Sequence, residues 1–182
     1  AVNAVGPTGT GGALLQLGDG TWVENVDINQ GNFTLKGNGS GNSFIQGSGP
    51  APHVIKVAAG NNNVTVSDLA VQNGEVGVDV AANNFTLKNS YISGNTTGVK
   101  LDSTISASIF NNAFEDNFVG VSGNNTWFTG VTNNNFYSHF AAIDFNGDNS
   151  LVVNNNTLDN NFIGISLNNV VGAPITGNSI DN

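Results

Sequence analysis

The 182-residue chain carries thirteen acidic residues against four lysines (Lys36, Lys56, Lys88, Lys100) and no arginine, a net charge of −9, and it has no cysteine. That balance argues against nucleic-acid binding and anionic membrane surfaces, whose phosphates would meet like charge, and it excludes disulfides and thiolate metal sites. Only 9% of residues are charged, while 33 Asn and 24 Gly fill their place, so many short strands joined by turns are expected, since both residues tolerate left-handed backbone.

The length suits one domain, 1–182, and no apolar run approaches a membrane span, so no membrane insertion is expected. The chain opens at Ala1, compatible with a removed leader or with excision from a longer protein. Residues 1–30 are read as an N-terminal cap and first coil, with Leu14, Leu15, Leu17, Trp22 and Val23 covering it. Residues 31–182 are read as repeats, the last incomplete. Phe33-Thr34-Leu35 matches Val64-Thr65-Val66 and Phe85-Thr86-Leu87. The segment GSGPAP (47–52) makes the coil that runs from Phe33 to Val64 longer than the others, and its prolines, which cannot donate to a ladder, mark a protruding loop.

From residue 85 the register is strict. Phe85, Leu87, Asn89, Ile92, Asn95, Gly98, Val99 and Leu101 recur at i+22 as Ala107, Ile109, Asn111, Phe114, Asn117, Gly120, Val121 and Gly123. Two further steps of the same size reach Leu151, Val153, Asn155, Leu158, Asn161, Gly164, Ile165 and Leu167, and Ala173, Ile175, Gly177 and Ile180 begin another unit. Within each unit the apolar residues come in period-2 pairs, the pattern of strands two to four residues long. Three such strands per unit can wind into a coil that stacks in parallel on the next, and parallel crossovers are right-handed. The expected fold is all-β: a single-stranded right-handed parallel β-helix of about seven coils, each of about 21–22 residues.

Stacked identical amides can share hydrogen bonds from coil to coil. Asn89, Asn111, Asn133 and Asn155 are expected to form one such ladder. Asn95, Asn117 and Asn161 form a second, interrupted by His139. Phe118, Phe140 and Phe162 share the spacing and are read as a structural aromatic column.

The stretch GDGTWVENVDINQGNFTLKGNGSGNSFIQG (18–47), together with the repeated N-x-x-Φ-x-x-N-x-x-G-Φ-x-Φ, resembles the pectate-lyase-like superfamily of right-handed β-helix proteins, and most closely its Asn-rich, NosD-like, carbohydrate-binding repeat branch. The resemblance implies polysaccharide lyases, hydrolases, esterases and epimerases. The lyases and esterases it implies depend on an arginine, and the hydrolases on clustered aspartates with His-Gly and Arg-x-Lys segments; none of these occurs here. No catalytic or cofactor-binding residue carries over, and the chain is read as a non-enzyme.

Individual residues carry weaker signals. Asp159 and Asp181 are separated by one repeat, hence lie on adjacent coils, at about the separation of a retaining glycosidase pair, but solvated turn carboxylates are the preferred reading. In DFNGDNS (144–150), Asp144, Asn146 and Asp148 alternate as in a calcium loop, although the bidentate Glu is replaced by Asn155. They are the candidate calcium ligands, and no other cofactor is expected. His53 and His139 suggest no metal pair. The column Thr34, Thr65, Thr86, Ser108 breaks at Gly130, Val152 and Pro174, too soon for an ice-binding face. Two functional classes follow. The first is a structural protein of the cell exterior that assembles head to tail, with AVNAV (1–5) completing a neighbour's coil. The second is a carbohydrate-binding or vestigial carbohydrate-active module partnered by an extracellular polysaccharide, which Trp127, Phe128 and Tyr137 on one face would favour.

Overall fold

The computed structural model describes residues 12–49 and 51–181. The chain winds as a right-handed parallel β-helix of about eight coils, without helices among the described residues. Each complete coil contributes one short strand to each of three parallel sheets, and the last described coil adds to sheets A and B alone, giving eight strands each in sheets A and B and seven in sheet C. A representative coil runs Gly130–Thr132 in sheet A, Asn135–Tyr137 in sheet B and Ala141–Asn146 in sheet C. The first coil, expected within residues 1–30, is formed by Ala13–Gln16, Gly20–Val23 and Val26–Ile28, in register with Phe33–Lys36, Ser43–Gln46 and His53–Val57; counted with the incomplete last coil, Ile175–Thr176 and Ser179–Asp181, it makes about eight coils where about seven were expected.

Period-2 alternation sends one residue of each strand inward, and the register stacks these into columns. Sheet A stacks Leu35, Val66, Leu87, Ile109, Val131 and Val153; sheet B stacks Ile45, Val71, Ile92, Phe114, Phe136 and Leu158, all buried. Phe114 and Phe136 stack at 4.6 Å and 9° between planes. In sheet C the column Leu101, Gly123, Phe145, Leu167 contains a glycine because a Cβ there would run into the Phe145 ring.

The long coil is built differently from expectation. Its extra residues are divided between GSGPAP and residues 37–42, which replace the two-residue corner 89–90 of later coils. Pro50 and AVNAV (1–5) lie outside the described residues.

One expected ladder is displaced by a residue. Asn89, Asn111, Asn133 and Asn155 lie at the surface, with φ between 52° and 57°. They supply the left-handed corner between sheets A and B, a conformation Asn adopts at low cost. The internal ladder is formed by the residues that follow: Ser90, Asn112, Asn134, Asn156 and Asn178. Asn134 Oδ1 accepts from Asn112 N–H and Nδ2 (3.0 Å each), and Asn134 Nδ2 donates to Ile109 O (2.9 Å). Asn156 repeats the pattern toward Asn134 and Val131. The left-handed residue turns the chain inward, so the next side chain points to the interior.

The second ladder is where the spacing put it, at the corner between sheets B and C. Asn117 Oδ1 accepts from Asn95 N–H and Nδ2 (3.0 Å each), and Asn161 Oδ1 accepts from His139 N–H (3.0 Å). His139 does not break it: its Nδ1 lies 3.1 Å from Asn117 N and 2.9 Å from Asn117 O. Its Nε2 is buried without a partner among the described residues, and burial lowers its pKa below the ordinary histidine value.

Candidate functional site

The candidate calcium ligands are not brought together. Asp144 and Asn146 face outward along sheet C, where Asp144 stands between Ser122 and Ser166 and Asn146 between Asn124 and Asn168. Asp148 lies past the end of that strand, beyond Gly147 at φ 74°, and is 2% exposed. Its Oδ1 accepts from Thr126 N–H, and its Oδ2 has no partner among the described residues. Desolvation raises its pKa above the ordinary carboxylate value, partly offset by the Thr126 hydrogen bonds. No group of three or more His, Cys, Asp or Glu suited to a metal occurs among the described residues.

Asp159 and Asp181 are register neighbours on the outer face of sheet B, in the column Ser93, Glu115, Tyr137, Asp159, Asp181. Glu115 is engaged instead by Tyr91, whose hydroxyl donates to Oε2 at 2.5 Å; burial and this bond to a carboxylate raise the tyrosine pKa. His53 Nε2 lies 3.0 Å from Asp27 Oδ1, on sheet C and remote from His139 in the fold.

The exposed aromatics do not share one face. Tyr137 stands on sheet B, whereas Trp127 and Phe128 occupy the corner between sheets C and A with ring centroids 6.5 Å apart. Phe118, Phe140 and Phe162 line the corner between sheets B and C and stack on one another at 4.7 and 5.1 Å. A stacked column turns ring edges outward and spends its faces on its own members, so it offers little platform to a ligand.

A groove of about 360 Å³ follows the corner between sheets A and B. It is lined by Asn89, Asn111, Asn133, Asn135, Ala113 and Ser40, the last supplied by the long corner 37–42. The left-handed asparagines form its rim. The side-chain amides of Asn111 and Asn133 make no hydrogen bond among the described residues, while Asn89 Nδ2 donates to Asp68 Oδ1 (3.2 Å). Asp68 in turn lines a second recess of about 580 Å³ with Gln16, Lys36 and Asn38. The rim repeats at the coil rise of about 4.8 Å, so Asn89 to Asn133 extends about 10 Å along the axis. Sequence reasoning missed this surface because it assigned these asparagines to the interior. The available signal was the doublet Asn-Asn at 111–112, 133–134 and 155–156, in which one residue makes the corner and the other enters the ladder.

With the coil geometry established, comparison with known proteins places it. Residues 53–180 match the family described as "Right handed beta helix region". The chain belongs to this right-handed beta helix family. No curated protein matches the sequence. Among solved structures, the β-helix resembles pectin methylesterase from Yersinia enterocolitica (TM-score 0.59, 11% identity, 97% of this chain and 91% of that one). It also resembles the enzymatically active domain of tailspike protein 2 of bacteriophage CBA120 (TM-score 0.65, 18% identity, 92% and 38%). A third likeness is to the catalytic domain of a GH87 alpha-1,3-glucanase in complex with nigerose (TM-score 0.56, 13% identity, 87% and 40%). At these identities the likeness is one of fold. Among the described residues no helix is long and apolar enough to cross a membrane.

Proposed function

We propose that this β-helix is a polysaccharide-binding module of the cell exterior with no catalytic role of its own. The observation that carries the reading is the asparagine-rimmed groove: a neutral furrow lined on successive coils by Asn89, Asn111 and Asn133, the last two with free side-chain amides. The rise of about 4.8 Å is close to the advance of one sugar unit in an extended glycan, so successive amides meet successive hydroxyl groups. The net charge of −9 and the absence of ionisable side chains from the lining direct the choice to neutral polysaccharides. The carbohydrate-acting proteins among its structural neighbours support that class of ligand, and the missing arginine supports a non-catalytic role.

The test uses Asn111→Gly/Asn133→Gly, which removes two amides while keeping a residue suited to left-handed backbone. Retention of the wild-type protein in affinity gels containing neutral polysaccharides is expected. The double variant should lose at least tenfold in affinity at an unchanged melting temperature. If the wild type is retained by none of the gels, the function is wrong; if the variant is retained equally, the groove is not the site.

A further inference from the structure

We infer that Trp127, Phe128 and Gly130, in the sequence WFTG, form a second carbohydrate subsite: a stacking platform for one hexopyranose unit of a neutral glycan. It shares with the groove only the chemical class of its ligand and lies at the other edge of sheet A.

Three outward columns run along the corner between sheets C and A, and in two of them this coil holds a residue that local stability does not favour. The first column is Ile105, Trp127, Asn149, Val171, joined by parallel bridges. Trp127 is its largest member and is 51% exposed. The second is Ser106, Phe128, Ser150, Gly172, all left-handed, with φ of 61°, 56°, 60° and 65°. Serine and glycine suit that corner; a bulky ring does not, since left-handed backbone is unfavourable for large side chains. Phe128 recovers little by burial, being 59% exposed. The third column is Thr86, Ser108, Gly130, Val152 on sheet A. Gly130 sits within a strand, where glycine weakens pairing. Its φ is not left-handed, and a Cβ there would meet nothing within 4 Å. Neither backbone nor packing requires this glycine.

Positions that break local rules together, without a structural return, mark function. The Trp127 and Phe128 rings meet at 64° with centroids 6.5 Å apart and form two walls of a notch. Gly130 leaves the outward surface between Ser108 and Val152 bare. The polar flanking groups are uncharged: Ser106 and Ser108 are exposed, and Asn149 Oδ1 accepts from Ser150 Oγ (3.0 Å), leaving the amide Nδ2 free, while exposed Ile105 and Val152 add apolar surface beside Trp127 and Gly130. No ionisable residue occurs in 105–108, 127–130 or 149–152. Aromatic faces beside neutral donors and acceptors fit a ligand with an apolar face and a hydroxyl rim, which describes a pyranose ring. A protein partner fits less well, because specific interfaces need roughly 800 Å² per side and this notch is confined to a single coil.

The experiment exploits the two tryptophans. In a Trp22→Phe background Trp127 is the sole indole emitter, and the protein is titrated with cellohexaose, xylohexaose and mannohexaose. A saturable blue shift with at least one sugar is expected. Phe128→Asn and Gly130→Val, made in the same background, should weaken it at least tenfold while holding or raising the melting temperature, since each puts in the residue that local stability prefers. Asn111→Gly/Asn133→Gly should leave the shift intact. No saturable shift with any of the three sugars overturns the inference, as does wild-type affinity in Gly130→Val. A shift abolished by the groove variant but untouched by Gly130→Val assigns the sugar to the groove and overturns the notch alone. A shift that follows protein concentration without sugar marks a protein contact and overturns it too.

Discussion

Replacing Asn134 by Leu tests the ladder where the structure puts it. Asn134 is fully buried; its Oδ1 accepts two hydrogen bonds from Asn112, and its Nδ2 donates to Ile109 O and Asn156 Oδ1. Leucine has a similar reach but no polar atom. It leaves the Asn112 backbone N–H without an acceptor, one Asn112 amide proton unpaired and the Ile109 carbonyl short of a donor. The other Asn112 amide proton keeps Leu87 O, and Asn156 Oδ1 keeps Asn134 N–H. At about 1–3 kcal/mol for each buried group left unpaired, with the amide proton and the carbonyl near the low end, the loss is about 3–5 kcal/mol. Asn133, one residue earlier, is exposed at φ 56°. Asn133→Ala there gives up only the left-handed preference, about 1 kcal/mol. Equilibrium urea unfolding of both variants, with unchanged m-values as the check on cooperativity, reads the difference. Equal losses, or a larger loss for Asn133→Ala, would refute the assignment of inward and outward asparagines.

His139→Asn should keep the ladder continuous and change the response to acid. A histidine whose pKa is lowered on folding binds fewer protons folded than unfolded, so stability is lost as pH falls below about 6.5; thermal melts from pH 7.5 to 5 should decline less in the variant. Asp148 has the opposite sign. Its raised pKa makes the folded state bind the extra proton, so its contribution worsens as pH rises from about 3.8 through the folded value and stays unfavourable above it. Asp148→Asn should therefore stabilise the protein at pH 7 by about 1–3 kcal/mol, with little gain near pH 3; equal gains at both pH values would show that the carboxylate is solvated. Gly123→Ala drives a methyl into the Phe145 ring and should destabilise by about 1–3 kcal/mol, with much of the loss recovered by adding Phe145→Leu. Strict additivity in that cycle would mean that the two residues do not touch.

The coil was legible from the residues alone. A repeat from i to i+22 with period-2 apolar pairs leaves one way to bury the paired apolar side chains, and residues such as Val131, Phe136 and Ile143 are buried where the alternation placed them. That inference is strong because it rests on many repeats of one local rule. The rule holds only while the backbone is extended, and the corners are where it fails. At Asn133 a single left-handed residue turns the chain, so position 134 rather than 133 enters the ladder. At Gly147 the same event turns Asp148 inward, away from Asp144 and Asn146, although all three alternate in the sequence. The first coil was placed within residues 1–30, but its register was not legible because its spacing is irregular: Ala13 pairs with Phe33, Phe33 with Val64, and neither step matches the later repeat. Tyr137 and Trp127 fall on different faces because the corner at 128 and the strand Gly130–Thr132 lie between them. Alternation is a property of one strand and is written in that strand's residues. Which side a residue takes after a corner depends on the sign of φ at one position, and that sign is set by the packing of the coils above and below.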